Sequence, residues 1–562
     1  MLPFRNTGRT GCDVNQKSMI RRILLLAVTF IWLLGSVPVG LAQHEGHEPK
    51  EAIGWLPREV LERPLPLRQG IGKLHEEVTT ASPEAQAYYD QGLAYLHSYV
   101  WIEAARSFHQ ALRADPNLGM AFLGLTDTFI GLYDVGSARA TLERAKPLAK
   151  GMSDRERTWL GIRETQVVFL EKGESTESFT AYRKSINQAL KANPNDPWLW
   201  IQRGLADEGN PFTHGQTATV DALAFYRTAL ALAPGNLAAL HYSAHAYENM
   251  GRIKDALEAS AQYARLAPAI PHAQHMHGHA LMRSGRTQEA IVEFLKTKEL
   301  EESYYRTENI PARYDWHHGH NLALLAMCYQ SLGQMKSAEA LFHETFLAPA
   351  FTDFLEYNRK SWPEFLLSRG RFQEALDAAR EMTKSASPLP LLAGHTLAGE
   401  ALLAMGSVAQ AQEEMTLAER ETERLPPGAI AALPYPALLR VNILLEQKNT
   451  EEGERLAMDV ANSLQSMPGP DAWIAAQFEL ESMAQSARKA GDWQLAGFLA
   501  RQMILHNLNY AGGHFAYGLA AAHAGKAADA AKAFAAAEKL WDKADKDLPE
   551  LEQIHKQLAA AH

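Results

Sequence analysis

The chain has 562 residues, 46% of them apolar or aromatic and 21% charged, enough apolar material for a large core and too much for a disordered polymer. Its formal net charge of -10, with no Lys/Arg run longer than two, argues against a protein built to grip nucleic acid phosphates. Its two cysteines, Cys12 and Cys328, exclude a disulfide framework and any CxxC or CxxCH motif.

In chain order, the first element is a targeting segment. Met19-Ile20-Arg21-Arg22 precedes an apolar run from Ile23 to Leu34, followed by Gly35, Ser36, Pro38 and the small-residue site Gly40-Leu41-Ala42. This pattern predicts a Sec signal peptide over residues 1–42, cut after Ala42, with Met19 as the natural start. Gly35 and Pro38 interrupt the run before it reaches the ~20 residues of a membrane span, so the mature chain is expected not to be an integral membrane protein. No Asn-x-Ser/Thr acceptor occurs anywhere, which fits a bacterial periplasmic or secreted protein. Residues 43–80, rich in Pro and charge, are expected to lie extended along the first helices after residue 80 or to stay mobile. Within them, His44, Glu45, His47 and Glu48 could hold a copper or zinc ion loosely.

From Ala85 to Pro116 the sequence AQAYYDQGLAYLHSYVWIEAARSFHQALRADP places Gly92, Ala104, Phe108, Ala111 and Pro116 at positions 8, 20, 24, 27 and 32 of a repeating unit. The pattern returns as Ala222, Tyr226, Ala229 and Pro234, and as Gly518, Gly525, Ala530, Phe534 and Ala537. Turn glycines Gly251 and Gly285, and Gly491 and Gly525, lie one unit apart; similar turns are expected at Gly131, Gly333, Gly370 and Gly406. This register resembles the tetratricopeptide repeat of ~34 residues, and the combination with HYSAHAYE and HAQHMHGH resembles uncharacterised exported bacterial proteins of that superfamily.

The resemblance implies an all-α, right-handed superhelical solenoid of about a dozen antiparallel helix pairs, from Ala81 to about Lys546. It divides into an array over 81–300, an aromatic insertion over 301–316 and middle pairs over 317–422. A Pro-rich linker over 423–436, further pairs over 437–546 and a C-terminal helix or tail over 547–562 complete it. Asp207 to Thr219 reads as a second insertion, in place of a tight turn. In such an array the first helix of each pair lines a concave groove, so the resemblance implies a scaffold that binds a protein or peptide there.

Positions 2, 5, 9 and 12 of the first helices face that groove in the resembled family. With Gly251, Gly285 and Gly333 each set at position 15, His241, His245, Glu248, His272, His275, His279 and His320 occupy groove positions of three consecutive repeats. Tyr89 joins them at position 5 of the first repeat, while His277, at position 7, is expected to pack against a neighbour. His241/His245 and His275/His279 are i,i+4 pairs, which place both imidazoles on one helix face, and helices packed ~8 to 10 Å apart bring such pairs together. His241, His245, His275 and His279, with Glu248 as an oxygen donor, therefore form a candidate set for Zn, Cu or Fe; no other cofactor is indicated.

Three readings of these residues stay open: a groove whose histidines hydrogen-bond a ligand, a metal carrier, and a metal-dependent enzyme with Glu248 as base. His317 and His318 could cap the same pocket. No HExxH, GxSxG, Walker-type or GxGxxG motif appears in its required context, and Cys328, inside LALLAMCYQ, reads as a small core residue.

Overall fold

The structure is a computed structural model that describes residues 56–172, 175–208, 215–218, 220–349, 353–425, 434–467 and 469–560. The signal segment, His44, His47, the centre of the Pro-rich linker and part of the Asp207 to Thr219 insertion lie outside them.

Among the described residues there is no strand. Helices follow one another in twelve antiparallel pairs, from Pro83–Leu96 with Trp101–Ala114 to Ala511–His523 with Ala527–Leu540, and a last helix spans Pro549–Ala560. The glycine and aromatic positions of the repeat explain how each pair closes. A Cβ on Gly92 would stand 2.5 Å from the Phe108 ring, and one on Gly278 would stand 2.7 Å from Phe294. Only a missing side chain lets the first helix sit that close on the aromatic residue of the second. Pairs turn on residues with left-handed backbone, such as Gly251 at φ 69° and Gly285 at φ 77°. In the first two repeats that position is held by Tyr99 at φ 59° and Tyr133 at φ 60°, so the second turn is made at Tyr133 and not at Gly131.

The array does not remain an open spiral. Residues 56–80 form a strap with a short helix, Arg58–Leu61, and seven buried apolar side chains: Leu56, Val60, Leu61, Leu65, Ile71, Leu74 and Val78. The strap is tied at many points. Gly70 accepts from the Ala269 amide at 2.8 Å, and Arg106, itself buried, donates to the Arg63 and Pro64 carbonyls at 3.1 and 2.9 Å. Tyr304 then donates to Glu103 at 3.0 Å, bringing the helix Thr287–Glu308 back against Trp101–Ala114 and closing a first ring. Glu301–Glu308, expected to be part of an insertion, continue that helix, and Ala312–Tyr314 make a 3-10 turn before the helix Trp316–Ser331.

The C-terminal pairs fold back in the same way. The Asp545 amide donates to the Gly333 carbonyl at 3.1 Å, Asn509 donates to the Gly285 carbonyl at 3.2 Å, and Arg369 pairs with Glu550 at 3.0 Å. The helix Pro470–Ala490 is thereby laid against Pro271–Arg283. Cys328 is fully buried, and burial pushes its thiol far above the usual range.

Candidate functional site

Three helices carry the histidines. Leu237–Asn249 starts at Asn236, whose side chain caps the Ala239 amide, and ends before Gly251. Pro271–Arg283 starts with proline at its first turn, where no amide hydrogen is needed. Trp316–Ser331 is capped by Asp315, which accepts from the His317 amide at 2.8 Å. First helices of adjacent repeats are packed side by side, so their inner faces converge where the ring closes.

His241, His245, Glu248, His272, His275, His279 and His320 are all buried, as is Tyr89. These side chains are therefore packed within the inner face of the solenoid and not displayed on its surface. Tyr89 donates to Glu76 of the strap, which also pairs with Arg155 at 2.6 Å, so its side chain is engaged within the protein. His277 stands apart from the cluster, 3.3 Å from Glu293.

Two trios of imidazoles result. In the first, His241 Nε2 lies 2.9 Å from His272 Nε2 and 3.1 Å from His245 Nε2. His241 Nδ1 donates to the His97 carbonyl at 2.7 Å, so its Nε2 carries a lone pair. That lone pair can accept one hydrogen, leaving the third nitrogen without a complementary partner. A cation at the centre would satisfy all three. Tetrahedral coordination at ~2.0 to 2.1 Å places ligand nitrogens about 3.3 Å apart, close to the spacing here.

In the second trio, one ring nitrogen each of His275, His279 and His320 lies within 4.8 Å of the others. His275 Nδ1 donates to Asn321 Oδ1 at 2.9 Å, and Asn321 is oriented by donating its own amide to the Phe294 carbonyl at 3.0 Å. His279 Nδ1 faces Glu248 at 3.3 Å, and His320 Nδ1 lies 3.2 Å from Asp471. The Nε2 atoms of His275 and His279 are buried with no hydrogen-bond partner, and so is that of His317, whose Nδ1 is held by Glu301. Sequence spacing groups His275 and His279 with His241 and His245; the structure separates the pairs and adds His272 to one and His320 to the other.

The electrostatics suit neutral ligands at the first trio and at His275. Burial lowers His241 to about 3 and holds His245, His272 and His275 well below the usual imidazole value, with repulsion from neighbouring rings reinforcing it. Burial opposes a proton on His320 too, but the Asp471 carboxylate outweighs it and raises that ring. Glu301 is penalised by burial, yet His317 and His318 keep it below the ordinary carboxyl value.

Tyr99, Trp316, His97, Glu301 and Asp471 complete the surroundings without any motif in the sequence marking them as members. The Tyr99 ring lies 4.5 Å from that of His241 and 4.8 Å from that of His272, with Trp316 6.2 Å away. A non-glycine residue in left-handed backbone costs of order 1 kcal/mol or more, and here it sets an aromatic ring against the first trio. The one signal that could have revealed Tyr99 is its place at position 15, where later repeats have glycine.

The geometry of helix pairs, turn residues and close glycine contacts decides the architecture. The fold is a tetratricopeptide-like solenoid. No protein-family model and no curated protein matches the chain. Among solved structures it is similar to a tetratricopeptide repeat protein from Parabacteroides merdae, at 17% identity over 47% of this chain and 93% of that one, with a TM-score of 0.34. It is also similar to the Cut9-Hcn1 hetero-tetramer of the APC/C, at 11% identity over 84% and 90% with a TM-score of 0.32. A third likeness is to the human IFIT1 dimer with m7Gppp-AAAA, at 12% identity over 75% and 90% with a TM-score of 0.39. No described helix is long and apolar enough to cross a membrane.

Proposed function

We propose that this tetratricopeptide-like scaffold is a metal-binding protein, holding a transition ion in each histidine trio. The observation that carries the reading is the pairing of roles within three of the six rings. Nδ1 of His241, His275 and His279 is turned to an oxygen acceptor, while Nε2 is left buried and aimed at other imidazoles. Ligating histidines are oriented in this way by an acceptor on the far nitrogen. All-imidazole donor sets without thiolate suit Zn and Cu best, with Fe as the third choice, and three protein ligands leave a coordination position open. The open position permits metal-assisted chemistry as well as carriage, with His317 and Glu248 beside the second trio.

Elemental analysis of the mature chain, purified without chelator or metal-affinity resin, tests the reading. The expected result is stoichiometric Zn or Cu that His241→Ala plus His272→Ala reduces while the helical melt persists. A metal-free chain that also fails to take up added Zn2+ or Cu2+ would sink it. Export belongs to the same reading: residues 1–42 act as a Sec signal, and the chain recovered from a bacterial periplasm begins at Gln43. A chain retained in the cytoplasm with an intact Met19 segment would refute that part.

A further inference from the structure

Away from the histidines, the inner face of the C-terminal half keeps a cavity of about 360 Å³. Its volume is that of a small-molecule site, for which ~300 to 1,000 Å³ is usual. First helices of successive pairs line it: Trp316–Ser331, Ser361–Ser368, Pro388–Ala404, Tyr435–Glu446 and Pro470–Ala490. Much of the wall is apolar, with Met327, Phe342, Leu397, Leu438 and Phe478.

The polar part of that wall is mostly acceptor. Five carboxyl groups line the cavity (Glu364, Glu400, Glu446, Glu479 and Glu481) against one lining lysine, Lys489. Most of them are already answered. Glu446 pairs with Lys489 at 3.1 Å, Lys360 lies 2.9 Å from Glu364 and 3.6 Å from Glu479, and Glu481 accepts from Tyr510. Glu400 has the amide of Asn442 on both oxygens at 2.9 Å and forms no ion pair among the described residues. Burial accordingly pushes its carboxyl up to about 7.

Two further polar atoms beside Glu400 are buried without a partner, Thr396 Oγ1, one helical turn earlier, and Asn442 Oδ1, and so is Ser361 Oγ on the cavity wall. An unpartnered buried acceptor costs of order 1–3 kcal/mol unless something donates to it. An amide oxygen and a carboxylate can only accept, and the two hydroxyls can do so as well. A primary ammonium has three donors and a positive charge, which matches Glu400, Asn442 Oδ1 and Thr396 Oγ1 together.

We infer that this cavity binds a small amphipathic primary amine, its ammonium at Glu400, Asn442 and Thr396 and its apolar body along the wall of Leu397, Leu438 and Phe478. The site is independent of the histidine trios.

Calorimetric titration of the mature chain at pH 7.5 with n-octylamine, n-octanol and n-octanoate tests it. Octylamine is expected to bind at least tenfold more tightly than octanol, and octanoate more weakly than either. Glu400→Gln, which keeps the shape and the Asn442 contact, should abolish the preference for octylamine over octanol. Thr396→Val should reduce it severalfold, with both variants checked for an unchanged helical melt. Equal binding of octylamine and octanol, no octylamine binding up to its solubility, or a preference that survives Glu400→Gln would each overturn the assignment.

Discussion

The two halves of the solenoid use the same helix pair and fill its inner face in opposite ways. In the first ring the strap, Tyr99, Trp316 and six clustered imidazoles occupy most of the inside and leave only a cavity of about 30 Å³. In the C-terminal half no segment among the described residues plays that part, and the inner face retains a cavity walled by carboxyl groups and hydroxyls. Most of the clustered imidazoles are held neutral by burial and offer lone pairs to a cation with empty orbitals. A carboxylate buried beside an amide lacks a counter-charge, and a cation that brings hydrogens supplies one. One architecture thus yields two sites of different chemistry through the residues set at the inward positions.

The largest expected effect comes from removing what distinguishes the first ring. A mature chain that begins at Thr80 lacks the seven buried apolar residues of the strap, each contributing ~1.5 to 3 kcal/mol. Together they rival the ~5 to 15 kcal/mol of a whole domain, so the first ring should lose protection from limited proteolysis while the C-terminal half keeps it. Equal protection of both halves would show that the strap is an ornament and the comparison false.

Next in size, Asn321→Ala should weaken metal binding at the second trio by ~10- to 100-fold, because His275 loses the acceptor that aims its Nε2. Competition with a chromogenic chelator reads this, and the first trio should stay unchanged. Loss at both trios would mean they act as one centre.

Tyr99→Gly should relieve of order 1 kcal/mol of backbone cost yet destabilise the protein by ~2 kcal/mol or more, since the aromatic contact with His241, His272 and Trp101 is lost. Denaturant titration measures the balance; a net gain in stability would show that the ring contributes little to the cluster.

The smallest effect belongs to the cavity. Glu400 has its carboxyl raised to about 7 in the folded chain from an ordinary 4.5, so its protonated form is favoured by folding. Its contribution is present below about pH 4.5 and is lost as pH rises through 7. Glu400→Gln should therefore melt like the parent at pH 5 and above it at pH 9, because the glutamine cannot ionise. Glu364, also raised to about 7, is retained, so the variant should keep part of the pH dependence. Identical melts at pH 9 would show that water reaches Glu400 freely.

Much of the repeat was readable because its constraints are local and periodic. Gly92 against Phe108 and Gly278 against Phe294 are contacts within a pair, fixed by spacing alone. The inward placement of His241, His245, His275 and His279 followed from the same register. Their partition followed from nothing local: His272 joins one trio and His320 the other through packing between repeats. His97, Asp471 and Tyr99 come from segments about 140 to 175 residues away from the rings they serve. Such contacts depend on where the solenoid closes and leave no spacing behind.

By itself, then, the sequence determined that this chain is a helical repeat and which side chains point inward, because a helix pair must bury the same small and aromatic positions each time. Only the tertiary structure decided that the strap fills the first ring, that six histidines divide three and three, and that a cavity survives beyond them. Those outcomes depend on the accumulated rotation from pair to pair, which decides where distant inner faces meet.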